Sequence, residues 1–176
     1  KEITNDNYKN KERYNYRLLT GCLTVIFSEL KDTKFTSNNS DCEDAINLIK
    51  VKGSGISATI KNSLNDALDV DFSKIKFLNL NIYNSGNDCI DFSSGTYIIE
   101  NSILKKCGDK GISVGEDTVA NFQRINVTAS NIGLASKDSS KVFLENSKMW
   151  DVMNCYASYK KKQEFNGGQI KINNSS

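Results

Sequence analysis

Two columns of aspartates carry the groups best suited to chemistry in this chain. Asp66 is followed 22 residues later by Asp88, and Asp69 is followed at the same spacing by Asp91. Asn47 and Ser113 extend the Asp69 column; Asp44 and Lys110 extend the other. Carboxylates held side by side can ligate a cation or carry a proton. With hard oxygen donors and no histidine in the chain, the ion such a set would take is Ca2+. Like charges about 5 Å apart repel by roughly 1 kcal/mol in water and by about 3 kcal/mol at an effective dielectric of about 20. An ion bound to Asp66, Asp69, Asp88 and Asp91 would offset that, as would the Lys110 ammonium, a raised carboxylate pKa or plain solvation. Lys110 is then either a counter-ion or, if burial outweighs its acidic neighbours, a base. The same period sets Gly115-Glu116 beside Lys137-Asp138 and close to Lys160-Lys161. That corner reads either as an ion-pair ladder or as a substrate-binding patch of Glu116, Asp138, Tyr159 and Lys160.

The elements that position these groups come from a chain of 176 residues, the size of one domain. Such a chain buries roughly 70% of its unfolded surface. Hydrophobic residues make up 38% and charged residues 25%, polar for a globular protein but too apolar for disorder. A net charge of +2 gives no field that would draw nucleic acid or a membrane surface. No apolar run approaches the ~18 residues of a membrane span. The absence of histidine removes every Ser–His, Cys–His and His–metal mechanism. The absence of proline fits backbone hydrogen bonding that runs almost without a break. The sequence does not open with methionine and shows no signal peptide, so a mature form or a segment of a longer parent chain is expected. The cysteines at 22, 42, 89, 107 and 155 are odd in number and lack CxxC spacing. They read mainly as small buried apolar residues, with room for one disulfide.

The 22-residue period runs through most of the chain. Asp66-Ala-Leu-Asp-Val70 is followed by Asp88-Cys-Ile-Asp-Phe92, then Lys110-Gly-Ile-Ser-Val114, Ile132-Gly-Leu-Ala-Ser136 and, with one residue inserted, Cys155-Tyr-Ala-Ser-Tyr159. Asp44-Ala-Ile-Asn-Leu48 fits the same slot upstream. Gly86 and Gly108 also stand one period apart. Within each unit apolar residues alternate: Leu68, Val70 and Phe72 oppose Asp69 and Asp71, and Leu23, Val25 and Phe27 do the same in an irregular first unit. Period two means strand. Each unit is therefore two or three short strands joined by tight turns, and stacked units about 4.8 Å apart share one core. The expectation is an all-β chain, a right-handed parallel β-helix (solenoid) of about six rungs. Residues 1–20 are its N-terminal cap or lead-in and 21–176 the helix domain. Ile46, Leu68, Ile90, Ile112 and Leu134 form one inner ladder. The lysines of Lys160-Lys-Lys162 are expected on an exposed end strand.

This stacked grammar resembles the pectin-lyase-like superfamily of carbohydrate-active β-helices. Asn84-Ser-Gly-Asn-Asp-Cys-Ile90 is similar to the GDDC segment of polygalacturonases, with Asn87 at its first acid, and the histidine and Arg-x-Lys of that site have no counterpart. The strings Asp66–Phe72, Gly108–Glu116, Ala135–Ser140 and Tyr159–Phe165 resemble the β-helix segments of bacterial spore-coat-protein-H-like (CotH) proteins over about residues 20–170. The resemblance implies a bacterial, extracytoplasmic or cell-surface module that interacts with polysaccharide or serves as structure. Its alternative is a polysaccharide lyase or epimerase. There, Ca2+ on Asp66, Asp69, Asp88 and Asp91 would neutralise a uronate, and Lys110 or Lys137 would abstract the C5 proton. Arg13, Arg17 and Arg124 are few for such a site, which favours binding or structure.

Overall fold

The computed structural model describes residues 13, 14 and 17–176. The expected cap over residues 1–20 therefore falls largely outside the described residues. From residue 21 the chain winds into a parallel β-solenoid of three faces, built from fourteen strands in a single hydrogen-bonded network.

The first face stacks β1 (Gly21–Ile26), β4 (Asp44–Ile49), β6 (Asp66–Asp71), β8 (Ile90–Ser93) and the last residues of β9 (Thr96–Gly115), β11 (Ile125–Lys137) and β13 (Lys148–Tyr159). The second face stacks β2 (Glu29–Lys31), the starts of β5 (Lys52–Ser63), β7 (Lys74–Ser85) and β9, then β10 (Val119–Gln123), β12 (Lys141–Glu145) and β14 (Gln169–Asn173). The third stacks β3 (Lys34–Ser40) on the later parts of β5, β7 and β9, followed by the early parts of β11 and β13. All pairings are parallel and partners differ by about one 22-residue turn, except between β12 and β14, where the step is 28 residues; this gives about six turns.

Alternation places one residue in two inside. Leu23, Ile46, Leu68, Ile90, Ile112, Leu134 and Tyr156 are successive partners. The five middle members are at most 1% exposed, as the sequence requires. Leu23 and Tyr156 end the ladder and are less buried. Midway, Phe92 stacks on Tyr97 with centroids 4.2 Å apart and is flanked by Phe77 and Phe122. The Tyr97 hydroxyl donates toward the carbonyls of Val70 and Ser93, so the ring carries no orphan polar group.

Corners are made by residues in the left-handed region. Phe27, Lys50, Phe72, Ser94, Glu116 and Asp138 have φ between 50° and 59° and end the first face. Asn39, Asn62, Asn84, Lys106, Ala129 and Asp151 mark a second corner. Asparagine tolerates this conformation, and here Asn84 donates to Asn62, which donates to Asn39, both at 2.9 Å. This corrects one inward assignment. Phe27 and Phe72 do not continue the buried alternation but turn outward at the corner, 73% and 56% exposed.

Two further expectations change. Four of the cysteines are bonded, Cys22 to Cys42 and Cys89 to Cys107, and Cys155 is free and exposed. The partners stand 20 and 18 residues apart, a little less than one turn, so each bridge ties one coil to the next. Residues 160–168 form no strand. They fold back as a loop, held where Lys161 and Lys162 backbone N–H groups donate to one Asp138 carboxylate oxygen. The strand that closes the second face comes later, at β14.

A candidate acidic cleft on the first face

On the first face Asn47, Asp69, Asp91 and Ser113 are register partners on successive strands, with side chains opposite to the inner ladder. Asp71, two residues past Asp69, shares that side and partners Ser93. The upper rungs of this column are screened: Ser113 and its partner Ala135 are fully buried. At the lower end lie Arg13, Tyr14 and the Leu18–Thr20 segment, with the Arg13 guanidinium 3.1 Å from Glu43. Between these covers a cleft of about 360 Å³ remains, lined by Asn47, Asp69, Asp71, Asp91, Ser93 and Glu116 across from that segment.

Charge is concentrated there. The Asn47 amide donates to Asp69 at 3.1 Å. Burial, then the charges of Asp71, Asp44 and Asp91, push the Asp69 carboxyl far above the usual range. Asp71 is also raised, first by burial and further by Asp91 and Glu116, although Asn47 and Lys162 oppose the shift. Glu116 is bonded to the Lys162 ammonium, which reaches it from the folded-back loop. That contact holds the Lys162 pKa above its ordinary value.

The other aspartate column does structural work. Asp66 accepts the backbone N–H of Asp88 at 2.8 Å and the Asn87 amide at 2.8 Å. Asp88 accepts the backbone N–H of Lys110 at 2.9 Å and lies 3.4 Å from its ammonium. Each carboxylate thus satisfies the next turn. Burial raises Asp66 to about 6 and Asp88 to about 7; Lys110 tempers the second. Burial alone would lower the Lys110 pKa, but the contact with Asp109 and the charge of Asp88 outweigh it and the net shift is upward.

The structure therefore separates the four aspartates proposed as Ca2+ ligands. Asp66 and Asp88 stand at the entry to the first face, engaged with backbone, and Asp69 and Asp91 stand in the cleft. Among the described residues, the set of three ligand atoms lying within 4.8 Å of one another is Cys22, Asp41 and Cys42, and its two sulfurs are in a disulfide. Of the two lysines considered as bases, Lys110 is the counter-ion of Asp88. Lys137 is 7% exposed, and its aliphatic chain lies against Gly115, where a Cβ would come within 3.1 Å of Cε. Glu116 and Asp138 occupy the same corner one turn apart; Tyr159 is half-buried one strand above Lys137, and Lys160 is exposed. Glu116 alone of these four lines the cleft.

Stacked coils of this length, three parallel faces and left-handed corners match one family. The family described as right handed beta helix region matches residues 66–176. The chain belongs to the right-handed β-helix family. Neither a curated protein nor a solved structure matches it. In this β-helix, sequence reasoning missed the lining role of Arg13 and Tyr14, which lie in a stretch without periodicity. It also named Lys160 where Lys162 makes the ion pair. The loop displaces the lysine run from the 22-residue register, so counting periods could not reach it.

Proposed function

We propose that this β-helix is a carbohydrate-interacting module that seats a saccharide chain in the cleft of the first face. The observation that carries the reading is the lining itself. Asn47, Asp69, Asp71, Asp91, Ser93 and Glu116 present hydrogen-bonding groups across adjacent strands, in a concavity within the size range of small-ligand sites. Hydroxyl-rich ligands are held by such planar amide and carboxylate groups. The two disulfides support an oxidising, extracytoplasmic setting. Calorimetric titration with a panel of oligosaccharides tests the proposal. Binding that Asn47→Ala and Asp71→Asn both abolish is expected, and failure of every neutral, basic and acidic glycan to bind overturns it.

One observation favours a catalytic version. Asp69 retains its proton well above the ordinary carboxyl range beside Asp71, an arrangement suited to proton donation. Incubation with the bound glycan separates the outcomes. New reducing ends without ultraviolet absorbance signify hydrolysis, unsaturated products signify the lyase, and an unchanged glycan signifies binding alone.

A further inference from the structure

The cleft has an uneven hydrogen-bond balance. Asp69, Asp71 and Asp91 make no ion pair among the described residues, whereas Glu116 is matched by Lys162 and Arg13 by Glu43. Two buried oxygens in the lining find no donor: Oδ1 of Asn47, a residue 1% exposed, and Oδ1 of Asp91. Both are acceptors. A buried acceptor without a donor costs free energy, so the complementary ligand brings N–H or O–H groups rather than more acceptors. Asn47 and Asp91 stand on either side of Asp69, two strand spacings apart, about 9–10 Å. A single metal ion cannot bridge that span, because Ca2+ needs its oxygens at about 2.3–2.6 Å. A molecule of sugar dimensions can. A uronate would bring a further negative charge to three unmatched carboxylates.

Resting on the saccharide reading, we infer that the cleft takes a glycan bearing a free, protonated amine, with its ammonium between Asp69 and Asp91 and a hydroxyl donor toward Asn47. An ammonium offers three donors and no acceptor, which suits this lining. It also supplies the charge the cleft lacks.

The test is calorimetric titration of the protein with three oligomers of equal length: β-1,4-linked glucosamine, its N-acetylated counterpart, and galacturonate. The glucosamine oligomer is expected to bind at least about tenfold more tightly than either of the others. Asp91→Asn should erase the preference. Because Asp91→Asn is isosteric and removes a like charge, circular dichroism should show the fold retained; Asp71→Asn serves as a second variant. Equal affinity for the acetylated and free-amine oligomers overturns the amine assignment and leaves the saccharide reading in place. Tighter binding of galacturonate does the same, as does displacement by calcium chloride but not by sodium chloride of equal ionic strength. Binding of none of the three overturns the amine assignment, and with a blank oligosaccharide panel it overturns the saccharide reading too.

Discussion

Lys110 meets Asp88 twice across one turn of the coil, through its backbone N–H at 2.9 Å and its ammonium at 3.4 Å. The backbone contact survives any side-chain change, but the ammonium does not. Lys110→Met should lower stability by about 0.5–2 kcal/mol, since both side chains are largely buried and Asp88 loses its cation. The loss should be largest above pH 7, where Asp88 is ionised, and should shrink in acid and at high salt. Urea denaturation across pH measures it. A uniform loss at all pH values would mean that packing of the alkyl chain, not charge, is what Lys110 contributes.

Stability should fall as pH rises, the reverse of an ordinary carboxylate-stabilised protein. Asp44 and Asp66 are raised to about 6 and Asp88 to about 7, each first by burial. Their unfolded values lie near 4, so between about pH 4 and 7 the folded state binds more protons than the unfolded chain. The contribution is fully present below about pH 4 and is lost as pH passes through the folded values. Melting temperature should therefore be higher at about pH 5 than at about pH 8. Asp69→Asn should flatten the slope and gain about 1–3 kcal/mol at the higher pH, because it removes the most strongly disfavoured of these charges. A melting temperature that rises from pH 5 to 8 would refute the assignment.

The coil was legible because it rests on repetition. Ile46, Leu68, Ile90, Ile112 and Leu134 recur at one spacing, and a parallel stack turns that spacing into contact. Asp69 and Asp91 were legible as a column for the same reason. What repetition could not reveal was how neighbouring columns divide their labour. Asp66 and Asp69 are three residues apart in one strand, yet the first bonds to backbone and the second faces the cleft. Phe72 follows the alternation in sequence and breaks it in space, because its positive φ turns the strand there. At the second corner, the asparagines at 39, 62 and 84 carried a corner signal at nearly constant spacing. Arg13 and Tyr14, which line the cleft, and the 160–168 loop, whose Lys162 pairs with Glu116, lie outside the repeat and follow no period.

The two disulfides should differ in both reactivity and weight. Cys89 and Cys107 are buried in the core, whereas Cys22 is exposed on the first coil. Mild reduction followed by alkylation should label Cys155 at once, then Cys22 and Cys42, and should label Cys89 and Cys107 only on unfolding. For loops of this length the chain-entropy contribution is about 3 kcal/mol. Replacing Cys89 and Cys107 together by serine should cost at least that, because two hydroxyls also enter an apolar site. Peptide mass mapping and denaturant melts give the two readouts. Equal labelling rates for both bridges would contradict the burial difference.

Gly86 and Gly108 give the sharpest steric test. A Cβ on Gly86 would stand 1.8 Å from the Leu64 carbonyl oxygen, and one on Gly108 would stand 2.1 Å from that of Gly86. Both obstacles are backbone of the turn below, which cannot swing aside as a side chain would. The Gly86 N–H also bonds to Ser63 at 3.0 Å, so the strand cannot lift without breaking the ladder. Gly86→Ala should therefore cost at least about 2–4 kcal/mol, at the upper end of single substitutions. The contrast is Gly167→Ala, where nothing lies within 4 Å and stability should stay within about 0.5 kcal/mol of the parent. Both are read from urea melts. A Gly86→Ala protein as stable as Gly167→Ala would mean that successive turns are not in contact at this corner, and the stacked register of Ser63 on Ser85 would have to be wrong with it.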